Sequence, residues 1–393
     1  MKIFFLILLV PLCIAENSKS KTIEESTSLA KQRPPYYISP KLNKYYFSND
    51  SISTKLHTIF NQLRRNTCLD FRKQTSRIQN EIGINFDISK EGKSIVELSN
   101  STSCPTNISL SENDYTNHTL LRFYLGIALD IIPEVRRPDR DIDVNVTISN
   151  VKSEFIQYYN ITNSSYIKYL NDTEFDFRSP MFFGPDFGSN DNKPTYEVLL
   201  YKNDQHPSGF GRPFRHNFYK HIFYYYCGGS TIPNNCKYGG YPYPKEKNKC
   251  KCPEYLSGTN CENFNNQSTT VKYTIKGPLK ANSSEQEFSI NLTSTTFYLN
   301  ITSEQGRNIS VTVKNITFTE SNCSSFGSFL DVLIRKDKGS AGMYLCRNTS
   351  NLNLPPLSNE VFFVLYARKE NISFSISYKE VGENKTESQK EIS

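Results

Sequence analysis

The chain has 393 residues, ten of them cysteine, and a formal net charge of +7 distributed along its length. That length exceeds one typical domain and implies two or three. The modest, dispersed charge reads as a solvated surface and argues against nucleic acid as a partner.

Residues 1–15 begin with Lys2, continue as an apolar run from Ile3 to Leu12 and close on the small residues Cys13 and Ala15. That is the pattern of a secretory signal peptide cleaved after Ala15. No later apolar run reaches the ~20 residues needed to cross a bilayer. The expected product is secreted and extracellular, without a membrane span, in a compartment where disulfides persist. About eighteen Asn-x-Ser/Thr acceptors fit that setting and predict a glycoprotein. They include Asn117, Asn291, Asn315 and Asn371. Residues 16–33 are polar and poor in apolar side chains, as in a short flexible pro or linker segment.

Leu56, Ile59, Phe60 and Leu63 recur at helical spacing and predict an amphipathic helix of about three turns. Short strands are expected at 84–88, 94–98 and 108–110. Residues 121–128 then return to a helical pattern, and Arg137-Pro138-Asp139-Arg140-Asp141 comes next as a charged run. Taken alone, Phe123-Tyr124 and Ile127-Ala128 describe an ordinary core helix. Asn117 stands just before it, so a glycan there would overhang this region.

The run from Arg137 to Asp141 resembles the one that follows the zinc motif H-E-x-x-H-x-x-G-x-x-H-E of astacin metalloproteases. Aligned on it, the first histidine falls on Phe123, the general base on Tyr124, the second histidine on Ile127, the turn glycine on Asp130 and the third histidine on Pro133. The final glutamate is kept as Glu134. A second segment, from Phe175 to Pro185, is similar to the family's Y-D-Y-x-S-x-M-H-Y turn. It keeps Asp176, Ser179 and Met181, but the tyrosine that is an extra zinc ligand falls on Phe183. The resemblance thus implies a scaffold retained at Glu134, Arg137, Pro138, Asp139, Arg140, Asp141, Ser179 and Met181. It also implies metal positions degraded at Phe123, Ile127, Pro133 and Phe183. Zinc needs lone pairs, which phenyl, aliphatic and pyrrolidine side chains lack. Tyr ionises near pH ~10 and is a poor base at neutral pH. No catalytic residue and no zinc or other cofactor are expected.

The same resemblance places a first strand at 34–39 and a closing helix that ends at Cys227. It pairs Cys68 with Cys227, and in active relatives Glu134 pairs with the mature N-terminus. After Cys227, the spacing Cys236, Cys250, Cys252, Gly258, Cys261 is similar to the second half of an EGF-like module, implying Cys236–Cys250 and Cys252–Cys261. A zinc knuckle is the competing reading of Cys250-x-Cys252. Alternating strands come next at 288–292, 296–299, 309–313, 330–334, 361–366 and 374–378, which predict a β-sandwich. Cys323 and Cys346 flank Phe329 to Arg335 in a pattern similar to a CUB domain, implying Cys323–Cys346, with Asp331 a weak calcium candidate. An unrelated jelly-roll-like domain is the alternative. With Cys13 set aside, nine cysteines remain, and Cys104 is left unpaired, as a buried thiol or as a covalent bridge to a second chain.

The resulting fold class is α+β: an astacin-like (metzincin) domain over 34–227, an EGF-like module over 228–265, an all-β CUB-like sandwich over 266–380 and a polar tail over 381–393. This layout is similar to that of nematode-type astacins. The five histidines (His57, His118, His206, His216 and His221) form no His-x-x-x-His pair, and His216 and His221 are expected to be structural. The expected function is binding: a protein or peptide partner is held in a cleft flanked by Phe182 and Phe183, or on the CUB-like domain. An active zinc endopeptidase and a structural matrix glycoprotein are the rival readings.

Overall fold

The computed structural model describes residues 42–382 except 48–51, 100, 102, 168–169, 207–211, 229–233, 247, 265–277, 321–322, 324–326 and 369. The expected signal peptide, the 16–33 segment, the strand at 34–39 and residues 383–393 of the tail lie outside the described residues. The chain divides into two compact units, Met1–Ile131 and Ile132–Ser393.

In the first unit, helix α1 (Ser53–Asn66) buries Leu56, Ile59, Phe60 and Leu63 on one face, the four positions that the spacing marks. Arg64 and Arg65 in its last turn complement the negative end of the helix dipole. Strands β1 (Leu42–Phe47), β2 (Asp70–Lys73), β3 (Ile84–Ile88), β4 (Ile95–Glu97) and β5 (Thr106–Leu110) form one sheet in the order β2-β1-β3-β5-β4. Only edge strand β4 runs antiparallel to its neighbour. Ring contacts Tyr45–Phe60 at 4.2 Å and Phe60–Phe71 at 4.4 Å join α1 to the sheet. A short helix α2 (Glu112–Thr116) leads into α3 (His118–Ala128).

The second unit starts with irregular chain. Its regular pieces are a two-stranded pair, β6 (Val144–Val146) with β7 (Tyr196–Val198), and helix α4 (His216–Tyr226). Two small hairpins come after it, β8 (Tyr241–Pro242) with β9 (Cys250–Lys251) and β10 (Leu256–Ser257) with β11 (Asn263–Phe264). Disulfides Cys236–Cys250 and Cys252–Cys261 hold them. So small a module has little apolar core of its own, which is where cross-links matter most.

The remainder is all β. One sheet contains β12 (Leu279–Ala281), β14 (Thr296–Ser303), β19 (Glu360–Tyr366), β16 (Phe329–Leu333) and β17 (Met343–Leu345), in that spatial order. The other is ordered β13 (Gln286–Thr293), β20 (Asn371–Val381), β15 (Asn308–Phe318), β18 (Thr349–Leu354). Rings meet across the layers, Phe288 with Phe297 at 6.0 Å and Phe363 with Phe374 at 5.8 Å. Disulfide Cys323–Cys346 joins two of the connections. The six strands expected from alternation are present, while β12, β17 and β18 are additional.

Cys68, Cys104 and Cys227 are each disulfide-bonded, and no described cysteine is free. This corrects the expectation of an unpaired Cys104. Bonded within the chain, Cys104 has no thiol to offer a second copy.

Candidate functional site

Helix α3 carries three of the family's metal-site positions. Its start is set by Asn117, whose side-chain oxygen accepts hydrogen bonds from the backbone N–H groups of Thr119 at 2.9 Å and Leu120 at 3.2 Å. One turn in, Phe123 and Tyr124 are fully buried, with their rings edge to face at 5.2 Å. The Tyr124 hydroxyl donates to Asp114 at 3.2 Å. Ile127 is partly exposed. The helix stops where Asp130 takes φ 54°, the left-handed backbone that glycine adopts most easily. Asp130 is the residue aligned on the family's turn glycine, so the bend survives without the residue that favours it.

In the second unit, Pro133 is buried and precedes a single helical turn at Glu134–Arg136. Glu134 is buried too. Its N–H donates to the Met181 carbonyl at 2.9 Å, and its carboxylate accepts from the Asp176 N–H at 3.3 Å. Met181 N–H in turn donates to the Ser179 hydroxyl at 3.1 Å. Two distant stretches that the sequence marks as scaffold are therefore in direct contact. Arg137, fully buried, forks onto Asp139 at 2.8 and 2.9 Å and donates to the Thr173 carbonyl at 2.6 Å. Arg140 donates to the carbonyls of Val135 and Tyr159, and its Nε lies 3.4 Å from Asp141. Pro138 is partly exposed between them. The charged run thus staples backbone by filling carbonyl lone pairs that would otherwise be buried unpaired.

Burial pushes the Glu134 carboxyl up from its ordinary value to about 8, with Arg137, 3.9 Å away, pulling against it. Phe183 is buried, stacked on Phe187 at 4.5 Å and edge-on to Tyr159 at 5.0 Å. Phe182 is buried against Phe175 at 5.1 Å and Tyr196 at 5.1 Å. This corrects the expectation that Phe182 and Phe183 flank an open cleft: both rings are packed into the interior of their own unit.

Zinc does not fit this set of residues. Phe123, Ile127, Pro133 and Phe183 offer no donor atom, and Tyr124 uses its hydroxyl on Asp114. Among the described residues, no three His, Cys, Asp or Glu side chains come together in a way that could hold a metal ion. His221 is buried in α4 and His216 is partly exposed at its start, with its ring nitrogen 2.9 Å from the Gly239 carbonyl. No described helix is long and apolar enough to cross a membrane.

A set of contacts that the sequence does not announce lies within the second unit. Arg178, three residues before Met181, forks onto both oxygens of Asp331 at 3.1 Å and donates to the Gly342 carbonyl at 2.8 Å. Arg335 reaches the Phe175 carbonyl at 3.0 Å and pairs with Asp143. Asp337 accepts from Asn217 at 2.7 Å and from the Glu174 N–H at 3.0 Å. The sandwich segment 331–346 is thereby seated on the part of the unit that holds the Met181 turn. Asp331, weakly marked for calcium, is instead occupied by a guanidinium.

Residues 26–211 match the model of the astacin peptidase family. Among curated proteins, the chain is 26% identical over 205 residues to zinc metalloproteinase nas-36 of Haemonchus contortus, covering 50% of this chain and 32% of that protein. It is 26% identical to zinc metalloproteinase nas-27 of Caenorhabditis elegans, covering 56% of this chain and 54% of that protein. For zinc metalloproteinase nas-24 of the same worm the figures are 23% identity, 84% and 80%. The chain thus spans about a third of the first of these relatives and about half of the second. Among solved structures it is similar to high choriolytic enzyme 1, a hatching enzyme zinc-protease from Oryzias latipes, at TM-score 0.38 and 17% identity, covering 46% of this chain and 87% of that one. A structure of myroilysin gives TM-score 0.33 and 12% identity, covering 48% of this chain and 94% of that one. The 26–211 segment, a mixed helix-and-strand protease-like domain, is thus similar to the astacin family.

Proposed function

We propose that this chain is a secreted, catalytically inactive astacin that works by binding rather than by cutting, and that 228–265 and 266–380 are its EGF-like and CUB-like modules. One observation carries the reading: every position at which the family holds zinc or its base is filled by Phe123, Tyr124, Ile127, Pro133 or Phe183. At four of them, Phe123, Tyr124, Pro133 and Phe183, the residue is buried. Refilling a metal site with apolar rings replaces coordination by packing, and close-packed interiors leave no vacancy for an ion. Retention of Glu134, Asp176, Ser179 and Met181 in mutual contact supports a scaffold kept for its shape.

The binding surface belongs with the modules more than with the former cleft, because Phe182 and Phe183 are withdrawn from solvent. That withdrawal also favours a second reading, a structural extracellular glycoprotein without a specific ligand. Zinc per chain, measured by elemental mass spectrometry on dialysed secreted protein beside a peptide-library cleavage assay, tests the main proposal. Near-zero zinc and no cleavage are expected. One zinc per chain with chelator-sensitive cleavage would return the protein to the active peptidases. Partner capture against an unrelated glycoprotein control then separates binder from matrix component.

A further inference from the structure

The two sheets of the sandwich have unlike outer faces. In β19, five successive residues, Val361 to Leu365, are buried, so that strand is covered on both sides. Phe362 and Val364 pack with Leu256, Cys261 and Leu333, and Tyr298 of β14 meets Phe264 at 5.4 Å. Strand β13 instead alternates, with Glu287, Ser289, Asn291 and Thr293 all exposed. Asn371 and Ser373 of β20 are exposed on the same face, and Asn315 and Thr317 of β15 are partly so. Cross-strand register ties them together: Asn291 lies opposite Ser373, Asn371 opposite Thr293, and Thr317 opposite Ser373.

We propose that this outer face is a site of N-linked glycosylation, with Asn291, Asn315 and Asn371 as the attachment residues. The inference rests on the secretory reading above. Asn-x-Ser/Thr has a spacing of two, which is also the side-chain repeat of a strand. On an outward strand face the acceptor and its hydroxyl therefore stand side by side in solvent, as Asn291 does with Thr293, Asn315 with Thr317 and Asn371 with Ser373. Among the described contacts, the carboxamides of Asn291 and Asn315 make no hydrogen bond, and Asn371 uses only its oxygen, which accepts from the Thr293 hydroxyl at 2.5 Å. All three Nδ2 atoms remain open. Asn300, on the covered sheet, donates its Nδ2 to Glu360 at 2.8 Å. Asn107 is partly buried and its oxygen accepts from Asn85 and Arg77.

The donor is an oligosaccharide on a lipid diphosphate, supplied in the secretory pathway. A bond forms from Nδ2 to the sugar C1, the C1–O bond to the diphosphate breaks, and the amide proton departs as the lipid diphosphate leaves. No electron is transferred to or from the protein. The sugar coat occupies the open sheet face, so partners are left with other surfaces of the unit.

The test is the full chain expressed in a secreting eukaryotic cell, released from its glycans by peptide-N-glycosidase in oxygen-18 water and mapped by peptide mass spectrometry. Isotope tags at Asn291, Asn315 and Asn371, with none at Asn300 or Asn107, are expected. Tags at two or more of the three sustain the proposal, and secreted chain with one or none overturns it. Chain retained in the cell without a tag anywhere removes the secretory reading, and this proposal with it. Thr293→Val, Thr317→Val and Ser373→Ala each keep the asparagine and should each remove one glycan step in gel mobility; unchanged mobility in all three counts against the site.

Discussion

Asp331 shows how far a single residue can depart from its appearance in sequence. Set in an apolar run between Phe329 and Ile334, it reads as a weak calcium candidate. In the fold it is buried and paired through both oxygens with Arg178, a residue more than 150 positions away. No periodicity reports so distant a partner. Burial disfavours the Arg178 charge, but Asp331 and Asp204 hold its pKa above the ordinary value. Removing one member of such a pair leaves a buried charge uncompensated, which costs about 3–5 kcal/mol. Asp331→Ala is therefore expected to lose that much in urea unfolding. Asp331→Leu combined with Arg178→Met should recover most of it, and a double variant as unstable as the single one would contradict this account.

Elements whose apolar residues keep a strict period were the legible ones. Helix α1 follows from Leu56, Ile59, Phe60 and Leu63, and β3, β5, β13 and β20 follow from alternation. Strand β18, with the sequence Thr-Ser-Asn-Leu-Asn-Leu, looks like a turn and is made a strand by its pairing with β15. Loops fared worst, because Lys336-Asp337-Lys338-Gly339 has the composition of a solvated turn yet is packed against α4. A Cβ added at Gly339 would lie 2.4 Å from the Asn217 Oδ1 and 2.6 Å from the His216 ring. Gly339→Ala should thus cost about 1–3 kcal/mol through overpacking, seen as a lower unfolding midpoint. In α3, Asn117→Ala removes the cap that holds the N–H groups of Thr119 and Leu120 and should cost about 1 kcal/mol. Thermal unfolding of the two variants, side by side with the parent, checks both values.

At the scale of the whole molecule, buried titratable groups make stability depend on pH in opposing ways. Burial lowers His206 to about 4 and His216 to about 3, so the unfolded chain takes up protons below pH ~6.5 that the fold refuses. Their contribution is present above that pH and lost as pH falls. Glu134, raised to about 8, and Glu174, raised to about 7, act in the other sense. The fold keeps protons that the unfolded carboxylates release above pH ~4.5, so this contribution is present in acid and lost as pH rises through 7 and 8. Above pH ~6.5 the two histidines have largely stopped titrating and the two carboxyls dominate the slope, while Lys338, lowered by burial to about 8, opposes them only as pH approaches 8. The unfolding temperature is therefore expected to fall between pH 6.5 and 8, and Glu134→Gln should flatten most of that fall. A parent protein with no slope in this window would mean that a cation, such as a processed N-terminus, sits beside Glu134.

The seating of 331–346 on the Met181 turn also bears on how such a chain can be inherited. Beads on a string can be shuffled between genes, because each closes over its own interior. Here the last part of the chain supplies the counter-charge for Arg178 and the acceptor for Asn217. A recombination that cut within 265–277 and discarded the C-terminal side would expose those groups together and strand their partners. The protease-like segment and its C-terminal sandwich are thus expected to be lost or kept in descent as one piece.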